Sequence, residues 1–129
     1  MLLHNKKQAL FLIATNKDNE AIGYGILFWR SRFPKHCKLN IPEISDLNVI
    51  TEYQRNGVAT KIIQYAEHEA QTRRLSALGI CVEQSLNYWP AKQLYYKLGY
   101  INNGYFTFPG GLPVLVLKKT VKNKNMTGV

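Results

Sequence analysis

Acidic residues are scarce in this 129-residue chain: eight Asp and Glu stand against seventeen Lys and Arg, a formal net charge of +9. All eight acids lie between Asp18 and Glu83, so Lys92, Lys97, Lys118, Lys119, Lys122 and Lys124 go unopposed in the C-terminal third. Such an imbalance suggests an anionic partner. Nucleic acid, a phosphorylated cofactor and an acidic substrate each satisfy it, as does a solvated basic surface with no ligand. Cysteine is equally sparse. Cys37 and Cys81 have no CxxC partner, and His4, His36 and His68 are scattered, which argues against a disulfide framework and against a structural metal site. Long apolar runs are missing as well: Ala9 to Ala14 is the longest, against the ~20 residues a bilayer span needs. It follows Lys6 and Lys7 but lacks a small-residue cleavage site, so it reads as a buried strand and not as a leader, and the chain reads as cytoplasmic with no membrane partner.

What is present is a globular composition, 46% hydrophobic and 19% charged, in a length that suits one core. Residues 1–121 are expected to form a single domain, and the polar, unpatterned stretch 122–129 a flexible basic tail. Gln8 to Thr15 and the aromatic, β-branched run Ala21 to Phe33 flank a turn-rich Asn16-Lys17-Asp18-Asn19, which predicts a hairpin. Pro34 to Asn40 reads as a basic loop. Glu43 to Ile50 follows as a strand whose apolar positions Ile44, Leu47 and Val49 break strict alternation, the signature of a bulge. Ala59, Ile62, Ile63, Ala66 and Ala70 recur at helical spacing, so Gly57 to about Arg74 is an amphipathic helix. Leu75 to Val82 suits a buried strand. Pro90 and Gly99 bracket a second helix with Ala91, Leu94, Tyr95 and Leu98 on its inner stripe, and two strands, Ile101 to Phe108 and Val114 to Lys118, close the chain. The fold class is therefore α/β (α+β), a mixed central sheet with flanking helices in the order β-β-β-α-β-α-β-β. A helical crossover between the third and fourth strands makes them parallel, and ligands bind at the carboxyl ends of such strands.

The segment Val49 to Ala59 leaves a strand, turns and enters a helix. Unpaired N–H groups at a helix start, with the helix dipole behind them, favour phosphate; Gly57 permits close approach and Arg55 adds charge. The same glycine also fits an ordinary strand-to-helix turn. Gln54-Arg55-Asn56-Gly57-Val58-Ala59 resembles the Gln/Arg-x-x-Gly-x-Gly/Ala signature of the GNAT superfamily of N-acetyltransferases. Asn87-Tyr-Trp-Pro-Ala91 through Leu94-Tyr95-Tyr-Lys97-Leu-Gly99-Tyr100 is similar to the family's N-x-x-x-A-x-x-L-Y-x-K-x-G-F helix, and Glu43 to Val49 resembles its fourth strand. Thr51 where proline is common, Ala59 for glycine and Tyr100 for phenylalanine are the departures.

The resemblance implies acetyl-CoA as donor and an amine as acceptor, joined by direct attack in a ternary complex. It implies that Gln54, Arg55, Asn56, Gly57, Val58 and Ala59 grip the CoA pyrophosphate, with a hydroxyl from Thr60. The pantetheine arm would lie beside Leu47 and Val49 and touch Asn87, and the Leu47 N–H would meet the thioester. Acyl transfer needs a base for the ammonium, a donor for the oxyanion and an acid for the thiolate. Glu43, 14 residues before Gly57, stands at the spacing where histone-type members carry their base; Asp46 and Glu83 are reserves. Tyr95 matches the family's general acid, whereas Tyr96, about 100° around the helix, should face elsewhere.

Two other readings compete. Arg30, Arg32, Lys35, Lys38 and Lys61 alternate with Tyr24, Phe28, Trp29 and Phe33, as in a basic module that stacks nucleic-acid bases, although no recognised nucleic-acid motif accompanies them. A GNAT fold that binds CoA without turnover is the other. The basic balance leans toward an acceptor carrying an acidic group. Finally, GNAT domains usually begin with a strand and two helices before the segment that Gln8 to Thr15 resembles, yet Met1 to Lys7 alone precede it here. The resemblance therefore implies that Gln8 to Thr15 is a sheet edge beside an uncovered apolar face, so that either a homodimer covers this edge and helps build the acceptor site, which is the preferred expectation, or the chain is a shortened product with an open acceptor pocket and weak activity.

Overall fold

The computed structural model describes residues 2–6, 8–83, 89–107 and 109–121. The expected tail, 122–129, and Asn87 lie outside the described residues. Among the described residues, seven strands form one sheet in the order β1-β2-β3-β4-β5-β7-β6: β1 (Leu2–Lys6), β2 (Ala9–Thr15), β3 (Ala21–Phe28), β4 (Glu43–Val49), β5 (Ala77–Glu83), β6 (Ile101–Thr107) and β7 (Pro113–Thr120). The helices described among them are α1 (Pro34–Lys38), α2 (Val58–Thr72) and α3 (Trp89–Lys97). The β4–β5 pair, linked through α2, is parallel and all others are antiparallel.

Two expectations are corrected. The edge is not Gln8 to Thr15, because Leu2–Lys6 pairs with it from Leu2↔Ile13 to Lys6↔Ala9. A strand therefore stands before Gln8 to Thr15, where the resemblance implied that one is lacking. The basic stretch after Phe33 is not all loop. Pro34 brings the φ a first helical turn needs, and Lys35, His36 and Lys38 lie in the last turn, where cations suit the dipole. The strand expected to reach Phe33 accordingly ends at Phe28.

α2 lies on one face, with Ile62, Ile63, Ala66 and Ala70 buried. Bare backbone receives it: a Cβ on Gly23 would meet Val58 Cγ1 at 3.1 Å, and one on Gly25 would meet Ile62 Cγ2 at 3.3 Å. On the opposite face α1 lays buried His36 over Gly79, where a Cβ would come within 2.7 Å of the ring Nδ1. His36 Nε2 lies 2.6 Å from Asn103 Nδ2, and Nδ1 is buried without a hydrogen-bond partner among the described residues. Burial above all, then Lys118 and Lys35, lowers its pKa from 6.5 to about 4. Between those values the unfolded chain binds the extra proton, so this contribution is complete above pH 6.5 and is lost as the pH falls toward 4. The loss is expected to reach about 3 kcal/mol. Urea unfolding from pH 7 to 4.5 checks it: His36→Gln should flatten the wild-type decline, and an unaltered slope would contradict this role.

Candidate active site

β4 and β5 are paired at Glu43↔Gly79 and Ile44↔Ile80 and form no register pair beyond. The cause lies within β4. Tyr24 opposes Asn48 and Ile26 opposes Ser45, so Gly25 faces two residues, Asp46 and Leu47: the bulge that broken alternation predicted. Asp46 adopts a left-handed φ of 53° there. Bending at the bulge parts β4 from β5 and opens a cleft of about 440 Å³ through the sheet. Ile44, Leu47, Ile80, Val82 and Tyr95 line it, with Arg32, Ser45, Asp46, Asn48, Cys81 and Glu83, and the turn before β7 closes the far wall with Leu112 and Pro113.

At the same end of the sheet, past Val49, a 3₁₀ turn (Thr51–Tyr53) leads into Gln54 to Gly57. Gln54 Nε2 donates to the Val49 carbonyl at 3.0 Å and ties the loop to the strand. Arg55 and Gly57 both take left-handed backbone, φ 64° and 80°. No side chain caps α2 and no acid stands in its first turn. The first helical bond is from Lys61 N to the Gly57 carbonyl, 3.0 Å. The N–H groups of Val58, Ala59 and Thr60 thus precede the helical ladder. A Cβ on Gly57 would meet nothing within 4 Å, so space for an anion lies against the backbone.

Tyr95 is 6% exposed and reaches the cleft from α3, whereas Tyr96 is 38% exposed and faces outward, as helical geometry predicts. Glu43 behaves otherwise. Its carboxylate is 1% exposed and does not line the cleft. Ser31 Oγ and the Arg32 N–H donate to one oxygen at 3.0 and 3.1 Å, and Arg32 Nε and Nη2 donate to the other. Arg32 Nη2 also donates to Ser45 Oγ, 2.9 Å. The reserves Asp46 and Glu83 are exposed and do line the cleft. Burial, then the Glu43 carboxylate, pushes the Cys81 thiol up to about 12, which keeps it protonated at neutral pH. Cys81 is therefore no rival nucleophile.

A strand that splays from its parallel neighbour at a bulge, beside an open loop at a helix start, is the arrangement that the motifs implied. The model of the acetyltransferase (GNAT) family matches residues 2–100. The chain belongs to the GNAT acetyltransferase family. No curated protein matches it at a significant level. Among solved structures, it is similar to a Klebsiella pneumoniae protein assigned as an acyl-CoA N-acyltransferase, at TM-score 0.72 and 17% identity over 90% of this chain and 74% of that one. An aminoglycoside 6'-N-acetyltransferase complexed with coenzyme A gives TM-score 0.68 and 17% identity, again over 90% and 74%. A Bacillus anthracis protein assigned as a streptothricin acetyltransferase, in complex with acetyl coenzyme A, gives 0.72 and 19% over 90% and 64%. At these identities the likeness establishes the GNAT fold.

Sequence reasoning missed Arg32, Cys81 and the turn before β7 as parts of this GNAT cleft. Leu112 carried a signal: an apolar residue in a Pro-Gly-Gly turn, 84% exposed at the mouth. The aromatic residues proposed for base stacking do not form one open face. Phe33 is buried edge-on against His36 and Phe106, and Arg73 lies 3.6 Å over the Trp29 ring. Among the described residues no helix is long and apolar enough to cross a membrane, and no group of three or more His, Cys, Asp or Glu could hold a metal ion.

Proposed function

We propose that this protein is an N-acetyltransferase that moves the acetyl group of acetyl-CoA to an amine by direct attack in a ternary complex. The observation that carries the reading is the cleft between β4 and β5 with Tyr95 on its wall and the Gly57 loop at the same end. The residues fit the donor. Arg55 and the amides from Gly57 to Thr60, with Gln54 and Asn56 shaping the loop, suit the pyrophosphate, and the edges of β4 at Leu47 and Val49 suit the pantetheine amides. Acetyl-CoA supplies an activated acyl group when bound.

The chain's own groups then divide the work. The Leu47 N–H, at the bulge, serves the oxyanion. The acceptor nitrogen forms the amide bond as the carbon–sulfur bond breaks, and the Tyr95 hydroxyl gives its proton to the departing sulfur. The acceptor's proton leaves toward Asp46 or Glu83. Glu43, expected to be this base, has both oxygens engaged by Ser31 and Arg32, and we assign it instead to positioning Arg32 at the cleft wall. Glu43→Gln is expected to cost about 1 to 3 kcal/mol of stability, below a fully buried pair because Arg32 is 44% exposed. It should leave the acidic limb of the pH–rate profile in place. Loss of that limb would return the base role to Glu43.

Two further readings concern assembly and location. Phe11, Ile13, Tyr24, Ile26 and Phe28 lie on the β2–β3 face that turns away from α2, Tyr24 half exposed and the others partly so. We place a homodimer contact there, readable as mass by light scattering at micromolar concentration. Cys37 and Cys81 are free thiols, which accords with a cytoplasmic location.

A further inference from the structure

We propose that Asn16, in the turn between β2 and β3, and Tyr53, in the 3₁₀ turn after β4, form a latch that positions the Gly57 loop for the pyrophosphate; this rests on the acetyl-CoA reading above. The loop itself is poorly braced. A Cβ on Gly57 would meet nothing within 4 Å, and no side chain caps α2. Arg55 holds a left-handed φ of 64°, a conformation that a residue with a side chain keeps only where its surroundings impose it. Local bonds set the approach: the Tyr53 N–H donates to the Ile50 carbonyl at 2.8 Å, and the Gln54 N–H to the Thr51 carbonyl at 3.2 Å. Tyr53 reaches further. Its ring packs against the hydrophobic core, and its hydroxyl accepts from Asn16 Nδ2 at 3.0 Å, 37 positions away in the chain.

Asn16 can serve as the fixed end because every hydrogen-bonding position of its amide is used. Its Oδ1 accepts from the N–H groups of Asp18 and Glu20 at 2.9 and 3.0 Å, and Nδ2 donates to Glu20 Oε1 at 3.1 Å as well as to Tyr53. Two bonds accepted and two donated are the whole capacity of a side-chain amide. The turn is thus a rigid frame carried by β2 and β3. A backbone bond adds to the junction, since the Ile50 N–H donates to the Ile22 carbonyl at 2.9 Å. A loop already shaped for its anion loses less conformational entropy when it binds. Breaking the latch lowers the fraction of molecules with that shape, and the apparent dissociation constant rises by the same factor. One hydrogen bond between neutral groups corresponds to about three- to tenfold.

Calorimetric titration of the full chain with CoA tests this. The unaltered protein is read first, and failure of CoA to bind there would remove the acetyl-CoA reading and the latch together. Given that binding, Tyr53→Phe and Asn16→Ala are each expected to weaken CoA about three- to tenfold, and the double variant no more than Asn16→Ala alone, because both changes break the same bond. Tyr100→Phe is the control for a merely structural loss. It removes a hydroxyl that donates to Glu67 Oε2 at 2.9 Å, further along α2, so it should lower the urea midpoint and leave CoA affinity unchanged. Affinity retained in folded Tyr53→Phe, additive losses in the double variant, or an equal loss in Tyr100→Phe would each overturn the latch while the donor reading stands. Circular dichroism confirms the fold of each variant. Tyr53→Phe keeps the ring that packs on the core, so it and its control decide the matter even if Asn16→Ala, which also dissolves the turn, does not fold.

Discussion

Tyr95→Phe is expected to lower turnover by about 10 to 10⁴-fold, the span for removing a general acid, with little change in acetyl-CoA affinity. The ring fills the core between α3 and the sheet, and phenylalanine fills it as well. Stability should therefore shift by about 1 kcal/mol, the contribution of one hydrogen bond. What disappears is the proton for the leaving thiolate, so the deficit should shrink when the leaving thiol is made more acidic. An acetyl thioester of an aryl thiol reads this in single-turnover form. Wild-type turnover in Tyr95→Phe, or an equal deficit with both donors, would refute the assignment. Tyr96, exposed on the other side of α3, is the control: Tyr96→Phe should leave turnover unchanged.

Gly57→Val is expected to weaken acetyl-CoA by about 10 to 10³-fold, the loss of one or two charge-assisted hydrogen bonds to phosphate. Two effects act together. The φ of 80° suits glycine and strains a β-branched residue, and the added side chain would occupy space that is open above the loop. Because that loop is exposed and packs on nothing at this point, the domain should remain folded. Acetyl-CoA affinity retained in a folded Gly57→Val protein would place the pyrophosphate elsewhere.

The parts of this architecture that sequence reveals are those whose cause is local. Ile62, Ile63, Ala66 and Ala70 announce the buried face of α2 by spacing alone, and each is buried. The bulge in β4 is visible because Leu47 and Val49 fall out of alternation with Ile44. What stayed hidden depends on neighbours distant in the chain or on segments too short to carry a period. β1 offers five residues of mixed polarity, and α1 five residues with no apolar period, whose helix depends on Pro34 and on His36 settling over Gly79. Glu43 shows the limit most clearly. Its spacing from Gly57 suggested a base, and its partners, Ser31 and Arg32, come from the segment after β3 that read as strand. The cleft's far wall depends on β7 inserting between β5 and β6, an order that no local pattern encodes.

Titration of the unaltered protein with acetyl-CoA at low and at moderate salt tests the central claim most directly. A built site predicts saturable one-to-one binding that weakens modestly as salt rises, because the amides of the Gly57 loop and the edge of β4 contribute alongside net charge. A chain of +9 that merely attracts polyanions would instead bind several equivalents and release them at moderate salt. That result, or no binding at all, would contradict the acetyltransferase reading.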